Sequence, residues 1–570
     1  MKRLLFFLFL GLFFLTSCIT VKVKLFDETI TTPKRTKISK NTVLHFKLSG
    51  QISMYPDGGF SLFGGSSESA HELILKINSA KTDKRVTAIL LQPHGVSAGQ
   101  ATLLELQAAL LDFKTSGKKI YAYINTATNQ DIFLLSVADE VYMNPSASAG
   151  FVLSGVGGDT VFLKELLDKL GVEAHIVRAG EYKGAGEPFT RTEMSDELRT
   201  NLSGIYTDVY EQMLVDISNG YDLNLNDVRN LYEEREKFII NLDYAISTGI
   251  IDDLQFFDTM LTKLNIEERQ LVLHNRYTPT KIKRQKQHIA VVYMDGNIVS
   301  NGGSSTISSS EYVKLFDEIM NNDRIKAVVL RINSGGGSAL ASEIIHAKLN
   351  QLKEKKPIIV SLGSMAASGG YYLATNADYI YANPYTITGS IGVFAMMMNL
   401  HGTADMLGVS FESLGHGKFV NAGNPFQPFN EEFEQAMQLG VNDVYNEFKT
   451  RVSEGRNMSL DDVEAVAKGQ VWSATKALEY NLVDELGLLN DAINKAIEVS
   501  EIGQHTMLYY PERRSFFTSF MSGFNANMGQ IIRNAALPSA VNDYADYYFN
   551  FIEEVNESPI QMRSEFILFF

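Results

Sequence analysis

The sequence contains two similar halves, and this internal repeat restricts the fold more than any other feature. Residues 86–154 and 325–393 align without a gap at a constant offset of 239 positions. The tripeptide Asn129-Gln130-Asp131 of the first half stands where the second half has Ser-Gly-Gly, although the flanking residues are shared. These shared positions are Leu134/Leu373, Ala138/Ala377, Asp139/Asp378, Tyr142/Tyr381, Asn144/Asn383 and Pro145/Pro384. The chain is therefore built from two copies of one unit, and the copies differ at a few specific positions.

Each half shows a strand, a helix and a second strand in the same order. The strands are short aliphatic runs typical of buried β-structure, at 86–92, 120–124, 325–331 and 358–362. The helical segments between them cover 99–116 and 339–354. Strands that alternate with helices predict an α/β fold with parallel sheets and crossover helices.

At 570 residues the chain is long enough for two or more domains. We predict an N-terminal repeat domain over 40–275 and a homologous C-terminal repeat domain over 288–504. The basic, polar segment 276–287 lacks apolar periodicity and fits a linker. Residues 505–570 are rich in aromatic side chains and match neither repeat. They are predicted to form an extension, either packed on the last domain or used for docking, oligomerisation or membrane contact.

Residues 1–18 have the layout of a secretory signal, with two basic residues, an apolar run from Leu4 to Leu15, and then Leu-Thr-Ser-Cys. This ending resembles the lipobox of bacterial lipoproteins, in which the cysteine, here Cys18, becomes the lipidated first residue. The alternatives are an uncleaved membrane anchor from Leu4 to about Val21 and an ordinary cleaved signal. All three place the rest of the chain outside the cytoplasm.

The composition excludes several classes of function. The formal net charge of −15 leaves no excess of Lys and Arg for phosphates, which argues against a general nucleic-acid binder. The ten histidines and the single cysteine show no metal-site spacing, and neither a metal nor another cofactor is predicted. With one cysteine, no disulfide can form within the chain.

Ser368 is a candidate nucleophile because of its neighbours. It follows a predicted buried strand and precedes a helical pattern, where unpaired backbone N–H groups can stabilise negative charge. The adjacent glycines allow a substrate backbone to approach closely. The glycine-rich loop 333–338 follows the preceding strand and can aim a second N–H at the same place, completing an oxyanion hole. Taken alone, a stretch such as AASGG is more often a site of helix packing.

A serine nucleophile needs a general base, and the repeat points to a lysine. His346 falls on a helix where a packed or surface histidine is the default, and His401 and His416 lie in segments without a second catalytic feature. At an offset of 237, the second half has Val420 where the first half has Lys183. A lone lysine in a loop is usually a solvated charge, and the repeat comparison is what makes this one a candidate.

The two halves complement each other at these positions. The second half carries Ser368 but has Val420 in place of the lysine. The first half carries Lys183 but has Asn129 in place of the serine. Since each copy lacks what the other supplies, we predict one composite active site formed by both repeats.

The same residues lie in motifs that resemble a known family. The motifs EYKxAxEPFxRxxMS, NSxGGS, AASGGYY, NPxTxTGSIG and VWSAxxAxxxxLVDxLG are similar to those of the signal peptide peptidase A family, also called protease IV, in its long, duplicated form. The similarity covers about residues 40–500. It implies two tandem domains of the ClpP/crotonase-like fold and a serine–lysine dyad that cleaves peptides.

The resemblance implies a role for each motif residue. Ser368 would be the nucleophile and Lys183 the general base. Ser390 matches the family's second serine, which hydrogen-bonds the lysine. Gly369, beside the nucleophile, would supply one oxyanion-hole N–H, and the loop glycine Gly336 would supply the other.

Two departures from the family pattern stand out, one at the N-terminus and one in the glycine loop. Family members commonly carry an N-terminal membrane anchor, whereas this chain has the lipobox-like ending at Cys18. The usual proline of NSPGGS is Gly335 here, which loosens the loop that carries the second donor. Phe151 occupies the repeat position of Ser390, so the accessory serine exists only in the second half.

The role of Lys183 as a base imposes a condition on its pKa, because a free lysine has a pKa of about 10.4 and is protonated at neutral pH. Burial would have to lower this pKa to about 7–8, at a cost of about 3–5 kcal/mol.

Three functions are compatible with this pattern. The first is a membrane-attached, extracytoplasmic serine endopeptidase of a bacterial cell membrane that degrades cleaved signal peptides and other apolar peptides. A catalytically silent scaffold would not need Ser368, Lys183 and Ser390 together. A crotonase-type acyl-CoA enzyme would share the fold, but export would separate it from cytoplasmic CoA thioesters. We expect the peptidase, with its domains on the periplasmic side, and the resemblance implies a homotetramer.

Overall fold

A computed structural model of the chain describes residues 38–56, 68–234, 239–240, 242–279, 284–302, 306–512 and 560–563. The predicted signal at 1–18, with Cys18, lies outside the described residues, as does most of the predicted extension. Among the helices described, none is long and apolar enough to cross a lipid bilayer.

The first half forms a parallel sheet with helices packed against it. Its strands are β1 (Thr42–Ser53), β2 (Glu68–Ser69), β3 (Val86–Ser97), β4 (Lys119–Ile124), β5 (Thr126–Ala127), β6 (Glu140–Met143), β7 (Gly150–Val152), β8 (Glu173–Ala179), β9 (Ile239–Ile240), β10 (Asp253–Leu254) and β11 (Leu271–Leu273). Its helices are α1 (Ala70–Thr82), α2 (Gln100–Lys114), α3 (Asn129–Leu135), α4 (Lys164–Lys169), α5 (Glu187–Thr190), α6 (Asp196–Tyr221), α7 (Leu225–Glu233), α8 (Leu242–Ser247) and α9 (Phe257–Lys263). The strand order is β10-β6-β4-β3-β1-β11, and every pairing in it is parallel.

The second half repeats this arrangement. Its strands are β12 (Gln287–Asp295), β13 (Asn297–Val299), β14 (Thr306–Ser308), β15 (Ile325–Ser334), β16 (Gly336–Ser338), β17 (Ile358–Ala367), β18 (Tyr379–Ala382), β19 (Ile387–Gly389), β20 (Val393–Asn399), β21 (Val471–Ser473), β22 (Glu485–Leu486), β23 (His505–Tyr510) and β24 (Ile560–Arg563). Its helices are α10 (Ser309–Met320), α11 (Ala339–Lys353), α12 (Gly369–Ala374), α13 (His401–Leu407), α14 (Glu431–Arg456), α15 (Leu460–Val466), α16 (Ala474–Glu479) and α17 (Leu489–Val499).

The strands β22-β18-β17-β15-β12-β23 are parallel neighbours in the same order as their counterparts in the first half. The central strands β3 and β15 are buried over most of their length because the sheets are covered on both faces. This explains why both read as continuous aliphatic runs rather than alternating ones. The predicted α/β fold class, with two tandem homologous domains, is confirmed.

A second sheet joins the two halves. Its order is β14-β13-β16-β24-β20-β8, and β8 comes from the first half whereas the other strands follow residue 296. β8 runs antiparallel to β20, with Val393 opposite Ala179 at one end and Asn399 opposite Glu173 at the other. The chain therefore leaves β8 beside the second repeat, four residues before Lys183.

Two strands of this fold come from the region predicted as a C-terminal extension. β23 pairs with β12 just as β11 pairs with β1, so residues 505–510 complete the sheet of the second repeat. β24 lies in the second sheet between β16 and β20. The domain limits given above stay a prediction.

Candidate active site

Ser368 lies in a one-residue turn between β17 and α12. Its backbone has a positive φ of 53°, a conformation that costs about 1–3 kcal/mol and persists only where the surrounding structure enforces it. Two contacts enforce it: the Ser368 N–H donates to the Gly389 carbonyl at 2.8 Å, and Gly370 packs so closely on Ser334 that a Cβ would overlap the carbonyl oxygen of that residue. The Ser368 hydroxyl makes no capping bond to α12, which leaves it available to another partner.

Lys183 is delivered by the loop that follows β8. This loop rests on the second repeat, where the Tyr182 N–H donates to the Lys468 carbonyl at 2.9 Å. Gly469 has a φ of 81°, and a Cβ there would come within 2.7 Å of the Lys183 nitrogen. A glycine is therefore required for the two halves to approach each other at this point. Lys183 is only 1% exposed.

The structure brings the predicted serine, lysine and accessory serine together. Lys183 Nζ donates to Ser368 Oγ at 2.9 Å, across 185 positions of sequence. It also donates to Ser390 Oγ at 2.8 Å and to the Ser390 carbonyl at 3.2 Å. Both serines have no exposed surface, so the three side chains meet in a site closed to solvent. The arrangement can transfer a proton between a hydroxyl and an amine without intervening water.

Ser390 is held in place by residues that the sequence analysis did not single out. It has a φ of 50°, and its N–H donates to the Gln470 carbonyl at 2.7 Å. Gln470 directly precedes β21, which pairs antiparallel with β19, the strand that ends just before Ser390. The sequence pointed to this region through the VWSA motif, which contains β21. The motif shows no residue type typical of catalysis, so its role in holding Ser390 was not predicted.

The two predicted oxyanion-hole glycines lie side by side. A Cβ on Gly336 would come within 2.8 Å of the Gly369 nitrogen, and Gly336 has a φ of 105° that favours glycine. The Gly336 N–H donates to Ser334 Oγ at 3.1 Å, within its own loop. The glycine loop thus reaches the residue next to Ser368, as predicted, while the role of each N–H stays a prediction.

The first repeat uses the same positions for structure. Asp131, which is fully buried, accepts hydrogen bonds from the N–H groups of Gly95 and Val96, both at 3.1 Å. Gln130 bonds both backbone groups of Ala98, at 2.9 and 2.8 Å. The Asp131 carboxylate therefore accepts the backbone hydrogen bonds of this loop, and the equivalent loop of the second repeat adjoins the nucleophile. Asn129 Oδ1 accepts from the Ser154 N–H, and Asn129 Nδ2 donates to the Gly155 carbonyl. The tripeptide that replaces Ser-Gly-Gly therefore forms structural hydrogen bonds at the position that the nucleophile has in the second repeat.

The histidines contact other parts of the fold. His346 is buried on α11, where its Nε2 lies 3.3 Å from Thr375 Oγ1 and its ring packs on Tyr372. Burial lowers the pKa of His346 to about 4. His401 lies on the surface beside Asp405. This placement fits the packed or surface histidine expected from the sequence.

Comparison with known proteins assigns the chain to a family. Residues 112–271 and 350–503, more than half of the sequence, match the model of Peptidase family S49. The chain belongs to this family. The predicted resemblance and the predicted enzyme class, a serine peptidase, are confirmed at this level.

Individual relatives of this S49 peptidase align over most of its length. Protease 4 of Haemophilus influenzae is 31% identical over 77% of this chain and 74% of the relative. Protease 4 of Salmonella typhi is 29% identical over 85% of this chain and 80% of the relative. The chloroplastic serine protease SPPA of Arabidopsis thaliana is 28% identical over 82% and 70%, respectively. Among solved structures, a ClpP1 point mutant of Listeria monocytogenes is matched with a TM-score of 0.25 and 15% identity, over 36% of this chain and 94% of that chain.

Proposed function

We propose that this S49 peptidase is a membrane-attached, extracytoplasmic endopeptidase that uses a Ser368–Lys183 dyad to degrade cleaved signal peptides and other apolar peptides. The observation that carries the proposal is the 2.9 Å contact between Lys183 Nζ and Ser368 Oγ. Each residue comes from the repeat that lacks the other, so the pairing is a property of the whole duplicated chain.

The dyad would work by acyl transfer. Lys183 Nζ takes the proton of Ser368 Oγ, and the oxygen attacks the carbonyl carbon of the scissile bond. Backbone N–H groups near Gly369 stabilise the negative charge that develops on the carbonyl oxygen. The lysine then returns the proton to the leaving amine, and water hydrolyses the resulting ester. Ser390 Oγ, 2.8 Å from Nζ, fixes the direction in which the amine points.

The surroundings of Lys183 favour its action as a base. Burial removes the water that stabilises an ammonium group, which favours the neutral amine. An arginine could not take this role because its guanidinium stays protonated in proteins.

Substrate class, attachment and assembly follow from the resemblance and from the sequence. A relative of Enterococcus faecium, 30% identical over 41% of this chain, is named a putative signal peptide peptidase SppA. The lipobox-like Cys18 supports attachment through a lipid. The homotetramer is what the resemblance implies.

The test is hydrolysis of a fluorogenic apolar peptide by the full chain in detergent. We expect Ser368→Ala and Lys183→Ala each to lower kcat by about a thousandfold or more, because each removes a group of the dyad. Lys476→Ala, which removes an exposed lysine of an ion pair with Glu479, is the matched control and should stay active. Full activity of Lys183→Ala would exclude the dyad, and a wild type without any peptidase activity would favour the scaffold.

A further inference from the structure

The segment that carries Lys183 also contains polar residues that the proposed dyad does not use. Glu187 is the first residue of α5, shortly after the lysine, and it is only 5% exposed. Arg178 lies on β8, shortly before the lysine, and Ser195 directly precedes α6. A carboxylate is rarely buried unless hydrogen bonds and opposite charges compensate for the lost water. The partners of Glu187 therefore indicate what this side chain does.

Glu187 holds the beginning of α6 in place. Its Oε2 accepts from the Ser195 N–H at 2.9 Å, and its Oε1 accepts from the Ser195 hydroxyl at 2.6 Å. Ser195 is the N-cap of α6, and its Oγ accepts from the Leu198 N–H at 3.2 Å. The same helix carries Asn201, whose amide bonds the backbone of Val471 in the second repeat. The carboxylate thus fixes the lysine loop against a helix that contacts the second repeat.

The same carboxylate lies beside an arginine that contacts the lysine. Arg178 Nη1 is 3.7 Å from Glu187 Oε1 and donates to the Lys183 carbonyl at 3.2 Å. Arg191 lies near the other carboxylate oxygen, with 3.9 Å between Nε and Oε2. The backbone of Arg178 is itself held, because its carbonyl accepts from Gln438 Nε2 on α14 at 3.1 Å. The guanidinium therefore joins the buried carboxylate to the peptide group of the general base.

The second repeat lacks this pair of charges as well as the lysine. At the offset of 237 that places Val420 at the position of Lys183, neither charged residue has a charged counterpart. The paired positions are Arg178/Gly415 and Glu187/Asn424. Asn424 Oδ1 accepts from the Phe426 N–H at 3.0 Å, within its own loop. The ion pair is thus present in the copy that has a lysine to hold and missing from the copy that has none.

We propose that Arg178 and Glu187 are positioning residues for the general base. The Glu187 carboxylate orients the Arg178 guanidinium, and the guanidinium holds the carbonyl of Lys183, which keeps Nζ directed at Ser368. Neither positioning residue touches the substrate or exchanges a proton. This inference rests on the function proposed above and deepens it, because it names the groups that keep the lysine in its reactive position.

The first experiment measures kcat and KM for a fluorogenic apolar peptide, with the full chain in detergent. We expect Arg178→Ala to lower kcat about tenfold and to leave KM nearly unchanged, because the lost hydrogen bond orients the base and does not bind substrate. Arg199→Ala, which removes an exposed arginine of α6, is the matched control and should keep the wild-type kcat. Both variants should give the circular dichroism spectrum of the wild type.

A rescue experiment separates positioning from a purely structural role. The Arg178 side chain is 41% exposed, so a small ion can reach the space that Arg178→Ala leaves. Millimolar guanidinium chloride, far below the concentrations that unfold proteins, should restore part of the lost kcat. Sodium chloride at the same concentration should not, because sodium lacks the N–H donors that bond the Lys183 carbonyl.

A double variant tests whether Glu187 acts through Arg178. Glu187→Gln keeps an oxygen that can accept from Ser195 but loses the charge that orients the guanidinium. We expect it to lower kcat about tenfold in the wild type and to have almost no further effect on Arg178→Ala, since the two residues act as one unit. Equal losses of kcat in both backgrounds would show that the carboxylate does not act through the arginine.

Two further results would overturn the proposal, and they are distinguishable. If Arg178→Ala keeps the wild-type kcat while Lys183→Ala is inactive, the positioning role is wrong and the proposed peptidase stands. If the wild type hydrolyses no peptide, the proposed function fails and the positioning role fails with it.

Discussion

The side-chain amide of Asn201 in the first repeat forms two hydrogen bonds with the backbone of Val471 in the second. Asn201 Nδ2 donates to the Val471 carbonyl at 2.9 Å, and the Val471 N–H donates to Asn201 Oδ1 at 3.0 Å. The amide thereby takes the place of a neighbouring strand along one edge of β21. The other edge of β21 pairs with β19, which leads into Ser390. One side chain of the first repeat thus supports the strand pair that positions the lysine's partner.

We expect Asn201→Ala to weaken both stability and activity. Two buried backbone groups lose their partner, which should lower the free energy of unfolding by about 1–3 kcal/mol. Activity should fall through kcat rather than KM, because the substitution acts through Ser390, which bonds the lysine, and not through a group proposed to hold the substrate. Urea unfolding and peptide hydrolysis measure the two effects. Asn230→Ala, on the exposed face of α7, is the matched control, and equal behaviour of the two variants would contradict the assignment.

We expect Lys183→Arg to be as inactive as Lys183→Ala. The guanidinium stays protonated and cannot accept the serine proton, although it keeps a positive charge and hydrogen-bond donors. The measurement is kcat for a fluorogenic peptide, with Lys476→Arg as the surface control. Substantial activity of Lys183→Arg would show that the residue acts by charge alone and would exclude its role as a base.

An equimolar mixture of Ser368→Ala and Lys183→Ala should stay inactive. β8 and β20 of one chain pair along seven residues, from Glu173 to Ala179, and this pairing places both dyad groups within the same chain. Mixing the folded variants cannot restore activity, because neither chain carries both Ser368 and Lys183. Recovery of activity after the two variants are unfolded together and refolded would show that β8 is exchanged between subunits.

The sequence predicted the dyad because the repeat made each half a reference for the other. Ser368 and Lys183 stood out as positions where the halves differ, and the parallel strand order followed from strand and helix periodicity. The pairing of β8 with the second repeat could not be read in the same way, since its partner β20 lies more than 200 positions away and leaves no local pattern. The sequence likewise showed Asp131 only as the residue that stands where the second half has a glycine. Its bonds to Gly95 and Val96 depend on a loop conformation that sequence spacing does not specify.

We expect Asp131→Ala to destabilise the first repeat and to leave the dyad intact. The buried carboxylate accepts from two backbone N–H groups of the loop and from Thr128, and its removal leaves these donors unpaired. The free energy of unfolding should fall by about 3 kcal/mol. Asp112→Ala, which removes an exposed partner of Lys81, should change it little. A loss of kcat at a temperature where Asp131→Ala remains folded would instead place this carboxylate in the catalytic path.

The buried His346 should make the free energy of unfolding depend on pH in the acidic range. Burial is the main reason that its pKa falls from 6.5 to about 4, while Glu343 acts in the opposite direction and Arg451 in the same one. The folded state therefore keeps this ring neutral between about pH 6.5 and pH 4, where the unfolded state binds a proton. Stability contributed by the neutral ring is complete above pH 6.5 and is lost as the pH falls towards 4, by at most about 3 kcal/mol.

The measurement is the free energy of unfolding in urea at about pH 7, 5.5 and 4.5 for wild type and His346→Gln. Glutamine can still bond Thr375 but does not titrate, so we expect the wild type to lose more stability than the variant as the pH falls across this range. Carboxylates elsewhere titrate in both proteins, so their contribution cancels when the free energies of unfolding of the two proteins are subtracted. A difference that stays constant over this pH range would mean that His346 is protonated equally in the folded and unfolded chains.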